Sequence, residues 1–61
     1  MKHKTFEYTN INRIDIESNT YVKLTTFDGV NIDINTDTNG FQHTIMGIIH
    51  HDGNVTLYVT E

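Results

Sequence analysis

Cysteine, proline and alanine are all missing from this chain. Without cysteine there is no disulfide, no thiolate metal site and no thiol redox chemistry. Without alanine, and with Leu24 and Leu57 as its two leucines, the chain has few good helix formers. Alanine and proline codons are GC-rich, and the abundant isoleucine and asparagine have AT-rich codons. The bias points to an AT-rich genome, such as that of a low-GC bacterium or its phage. Fixed positive charge is scarce as well: Lys2, Lys4, Arg13 and Lys23 stand in a chain of formal net charge −4. A nucleic-acid binder normally carries a basic patch that displaces counterions from phosphates, so nucleic acid is an unlikely partner and an anionic membrane is disfavoured on the same ground. No apolar run approaches the ~20 residues of a membrane span. The charged start Met1-Lys2-His3-Lys4 has no apolar stretch behind it, so no signal peptide is expected. The expected compartment is the cytoplasm. Asn54-Val55-Thr56 matches a glycosylation sequon but falls within an expected strand.

What the chain does contain is isoleucine, valine, threonine and aromatics, residues that fit a pleated sheet. No segment carries a sustained helical stripe of apolar positions. The expectation is a single domain over residues 1–61, all-β. It would be a small antiparallel sheet or meander of five to six short strands, curled into a small barrel or sandwich. The clearest strand is Val30 to Thr36. There Val30, Ile32 and Ile34 alternate with Asn31, Asp33 and Asn35, which places the two sets on opposite faces. Asp28-Gly29 before it and Asn39-Gly40 after it read as turns, and Asp28-Gly29 suits a type I′ hairpin. Asp52-Gly53 is a third turn. Further strands are expected at about Thr5–Thr9, Ile11–Glu17, Thr20–Phe27, Phe41–His50 and Asn54–Thr60. Ile11 is out of phase with Ile14 and Ile16, which predicts a bulge near Asn12-Arg13. Val22 and Leu24 are expected inside, as are Val55, Leu57 and Val59.

The Phe41–His50 segment breaks the alternation. Simple parity puts Phe41, Ile45 and Ile49 on one face and Met46 and Ile48 on the other. A strand apolar on both faces is normally covered on both. A 61-residue chain hides only ~60% of its unfolded surface and is marginal unless something helps. The second cover is therefore expected to be a barrel's closure, the first two strands or a second copy, with Met46 and Ile48 as self-association residues. Gly47 in mid-strand suggests a bulge or bend.

Chemistry has little footing. Ser18 is the one serine and lies in no nucleophile-elbow context. Carboxylate catalysis needs a cleft that so small a chain rarely encloses, and the glycines sit singly. His43, His50, His51 and Asp52 are metal-ligand types, but neighbouring strand residues point to opposite faces. Asn35 to Gly40 resembles the first half of a calcium loop, then places Met46 where a bidentate Glu is required. No catalytic residue, metal or cofactor is expected. The candidate binding face is Asn31, Asp33, Asn35 and Asp37, with Tyr21 and Tyr58 beside it. The leading expectation is a non-catalytic binding module, a bacterial or phage accessory or inhibitor protein. It would work through protein contacts as a homo-oligomer, its other partner being a basic host protein. Small-molecule or nucleotide sequestration between subunits is the first alternative. A nucleic-acid-binding small barrel is the second, disfavoured by charge.

Overall fold

The computed structural model describes residues 3–38 and 41–60. The expected turn at Asn39-Gly40 and the facing of the Phe41 side chain lie outside this description. The described chain is all-β, with eight strands. They are β1 (His3–Tyr8), β2 (Ile11–Ile16), β3 (Tyr21–Thr26), β4 (Asn31–Asn35), β5 (Asp37–Thr38), β6 (Phe41–Gln42), β7 (Ile45–His51) and β8 (Asn54–Thr60). Six of them form two three-stranded antiparallel sheets, β1-β8-β7 and β2-β3-β4, while β5 and β6 pair as a short ribbon. No helix among the described residues is long and apolar enough to cross a membrane.

The meander expected from the hairpin spacing stops at β4. The chain then crosses through the β5-β6 ribbon to the other sheet, and the last hairpin, β7-β8, pairs with β1 instead of β4. Among the described strands there is no closed barrel: β1, β4, β2 and β7 each have one sheet neighbour. Among the described residues, the fully buried apolar side chains are Ile11, Val22, Leu24, Val55, Leu57 and Val59. Five of them come from the two central strands, β3 and β8, as the alternation of those strands predicts. Tyr8, Ile14, Ile32, Ile34, Ile45 and Ile48 pack around them and remain partly exposed. The strand that reads most clearly in the sequence is thus peripheral. Val30 lies before β4 and is 52% exposed, because β4 is an edge strand with no cover beyond it.

Two bulges tune the alternation. The register shift between Ile11 and Arg13 lets Ile11 join Ile14 and Ile16 on the inner face of β2. The shift between Ile45 and Gly47 corrects the parity reading of β7. Met46 is the extra residue, so Ile45 and Ile48 both turn to the core, while Ile49 is 54% exposed. The turns divide similarly. Asp52 and Gly53 both have positive φ, 50° and 80°, as a two-residue I′ hairpin requires. At Asp28-Gly29 the I′ reading fails: Gly29 has φ 87° while Asp28 is not in the positive region. Gly29 N donates to the Thr26 carbonyl (3.1 Å) and Thr26 N to the Val30 carbonyl (2.9 Å), the bonds of a three-residue loop closed by a left-handed glycine.

Backbone bonds pin the sheets together at both ends. At one end Ile11 N donates to the Gly53 carbonyl (2.8 Å), and the bond from Phe27 N to the Asn10 carbonyl (3.1 Å) extends the β2-β3 ladder beside it. At the other, Ile45 N donates to the Asn19 carbonyl (2.7 Å), while the bond from Thr36 N to the Thr20 carbonyl (2.7 Å) extends the β3-β4 ladder within one sheet.

Leu57→Ala should cost about 2–5 kcal/mol, and Val30→Ala should stay within about 0.5 kcal/mol, both by urea denaturation. A Cβ on Gly53 would sit in the left-handed region and 3.3 Å from Phe27 Cε2, whereas one on Gly47 would meet Tyr58 at an ordinary 3.9 Å. Gly53→Ala should therefore lower stability by more than about 1 kcal/mol, and Gly47→Ala should be neutral or mildly stabilising.

Candidate functional site

The outer face of the β2-β3-β4 sheet carries most of the binding residues expected from the sequence. Register places them in rows: Arg13, Thr25 and Asn31; then Asp15, Lys23 and Asp33; then Tyr21 and Asn35. Each row follows from strand alternation, since the inner positions are taken by Ile14, Val22, Leu24, Ile32 and Ile34. The face is less acidic than the β4 row alone suggests. Arg13 holds Asp15 through Nη2 at 3.1 Å. Lys23 is 3.9 Å from Glu17 and 5.9 Å from the centroid of the Tyr21 ring. Three carboxylates (Asp15, Glu17, Asp33) thus share the sheet with two cations. Their side chains are 41% to 70% exposed, so they organise the face more than they stabilise the fold.

The remaining expected residues are dispersed. Asn35 Oδ1 accepts from Asp37 N at 2.9 Å, so Asn35 also holds the bend between β4 and β5. Asp37 stands on β5, exposed. Tyr58 lies on the other sheet, opposite Thr5 and Gly47, with its ring 5.9 Å from that of His3. Tyr21 and Tyr58 therefore do not form one surface. Met46 and Ile48 are also divided: Met46 is exposed at the bulge, and Ile48 packs on the core.

The structure adds two open flanks, where each sheet ends without closing on the other. Between β1 and β4 a cavity of about 240 Å³ is lined by Lys4, Phe6, Tyr8, Ile34, His43 and Val59, among others. Between β2 and β7 a shallower hollow is lined by Ile16, Met46 and Ile48. His50 reaches across this second flank, its Nε2 donating to the Ile11 carbonyl at 3.1 Å. His43 Nδ1 donates to the Thr60 carbonyl at 2.8 Å, and His51 pairs with Asp52 in solvent at 3.0 Å. The three histidines thus have separate roles, and no group of three metal-ligating side chains gathers among the described residues. Alternation along β1 puts Lys4, Phe6 and Tyr8 on one face. The place of that face beside Ile34 depends on which sheet each strand joins.

Comparison of the chain with protein-family models, with curated proteins and with solved structures found no match.

Asp28 closes the end of the molecule nearest Asn10. Its carboxylate accepts from Thr26 Oγ1 and from Asn10 Nδ2 (3.3 Å), and Thr26 Oγ1 in turn accepts from Val30 N at 2.9 Å. The Thr26 hydroxyl first, then a backbone amide and Asn10, hold the Asp28 carboxyl below its ordinary pKa. A depressed folded pKa contributes stability that is present above the unfolded value and is lost as pH falls through the folded one. Acid titration of the melting temperature should therefore show a steeper loss below about pH 4 in the natural protein than in Asp28→Asn, with the variant less stable at neutral pH. Parallel curves would remove Asp28 from the acid transition.

Proposed function

We propose that this chain is a non-catalytic protein-binding module that works as a homo-oligomer. One observation supports the reading above others: apolar side chains stand exposed beside free strand edges on both flanks. Phe6 is 41% exposed next to β1 and β4, and Ile16 and Met46 are 67% and 49% exposed next to β2 and β7. In a chain with so small a core, covering such residues is worth ~25 cal/mol per Å², and association supplies that cover. The outer face of β2-β3-β4, with Asn31, Asp33, Tyr21, Lys23 and Arg13, offers a hydrogen-bonding surface. It suits a second, basic protein partner, as an accessory or inhibitor protein of a bacterium or phage would need.

Small-molecule sequestration is the second reading, favoured by the cavity of about 240 Å³ with Lys4 and His43 at its wall. A typical ligand pocket is ~300–1,000 Å³, so this site reaches that range only when two subunits share it.

Light scattering at micromolar concentration should return a mass of at least two chains, and a clean monomer would refute the oligomeric half of the reading. For the partner half, a short arginine-rich peptide should bind at low salt and weaken at least about fivefold in Asp33→Lys, the loss of ~1 kcal/mol. Equal affinity for the variant would take the outer face out of the interface.

A further inference from the structure

The four free edges are not equivalent. β2 and β7 each carry a bulge, between Ile11 and Arg13 and between Ile45 and Gly47, and a bulge twists an edge away from further pairing. β4 presents Asn31, Asp33 and Asn35, so self-pairing about its middle would set Asp33 against its own copy. β1 differs from all three. Its six residues keep one unbroken register with β8, from His3↔Thr60 to Tyr8↔Val55.

The direction of its backbone groups follows from the next strand. Thr60 N donates to the Thr44 carbonyl (2.9 Å), on the side of β8 away from β1. Alternation then turns Val59, Leu57 and Val55 toward β1, where they exchange bonds with Lys4, Phe6 and Tyr8. The amides and carbonyls of His3, Thr5 and Glu7 are left facing outward along the free edge. On the inner side of the same strand, Phe6 stands in the open flank.

We propose that β1 pairs antiparallel with β1 of a second copy about a two-fold axis at Thr5, joining two three-stranded sheets into one of six strands. This rests on the homo-oligomer reading and names its surface. Charge selects the direction. The cations His3 (when protonated) and Lys4 lie at one end of the strand and Glu7 at the other, so antiparallel pairing opposes unlike ends and parallel pairing opposes like ones. Centring on Thr5 engages all three outward residues. Glu7 of each copy faces His3 of the other, Thr5 faces Thr5, and Lys4 lies across from Phe6. An inward Lys on an edge guards against indiscriminate pairing; in this register its ammonium meets an aromatic face. The arrangement is isologous, so it closes at two copies and leaves no further β1 edge. It also covers Phe6 and brings the two β1-β4 cavities to a common seam.

The test uses light scattering over a concentration series together with cross-linking. The natural chain has no cysteine, so Thr5→Cys supplies a single thiol and should oxidise to a disulfide-linked dimer. Thr25→Cys, on the outer face of the other sheet, should not. Glu7→Lys should raise the dimer dissociation constant at least tenfold, and the exchange His3→Glu with Glu7→Lys should restore it. Glu7 is exposed, and circular dichroism checks that each variant keeps its sheets. A dimer insensitive to Glu7→Lys, with no Thr5→Cys cross-link, would overturn this interface while leaving the homo-oligomer reading intact. A natural chain that stays monomeric at the highest concentration would overturn both.

Discussion

Everything in this structure depends on the contact between two central strands. β3 and β8 each lie in the middle of a three-stranded sheet, and their inward side chains, Val22, Leu24, Val55, Leu57 and Val59, are almost wholly withdrawn from water. Ile11 completes the set through a bulge. Each sheet is wide enough to bury its middle strand and too narrow to bury its edges. The half-buried shell of Ile14, Ile32, Ile34, Ile45 and Ile48 is the direct result. Neither three-stranded sheet has a fourth strand among the described residues to cover it.

Polar bonding at the two ends holds the sheets in place where apolar contact is thin. One end is tied by Ile11 to Gly53 and by His50 to Ile11. The other is tied by Ile45 to Asn19. Thr36 adds a hydroxyl bond to the His43 carbonyl. These are bonds between turns and strand ends, which leaves the long sides open. The flanks, the free edges and the exposed Phe6, Ile16 and Met46 are therefore one feature with one cause.

The outer face of β2-β3-β4 shows how sheet register revises a charge pattern read along one strand. Asp33 flanked by asparagines looks like an acidic stripe when β4 is taken alone. Across the sheet, the row holding Asp33 also holds Lys23 and Asp15, and Arg13 sits against Asp15. The surface is a mixed array with hydrogen-bonding capacity, in which three carboxylates stand with two cations.

Strand content, the inner faces of β3 and β8, the bulge at Ile11 and the Asp52-Gly53 hairpin were legible in the sequence, because each follows from local alternation or turn chemistry. Half of the candidate face, Tyr21, Asn31, Asp33 and Asn35, was legible for the same reason. What alternation could not supply was the partner of each strand. The crossing after β4 sends β7 and β8 to a second sheet, so Tyr58 parts from Tyr21, β4 becomes an edge and Val30 is left in water. The bulge at Met46 shifts parity by one residue, which separates Met46 from Ile48. Short-range sterics and hydrophobic period, acting within a few residues, determined which segments are strands and which way they face. Only the long-range choice between β4 and β1 as the neighbour of the last hairpin decided where the core lies and which edges remain open.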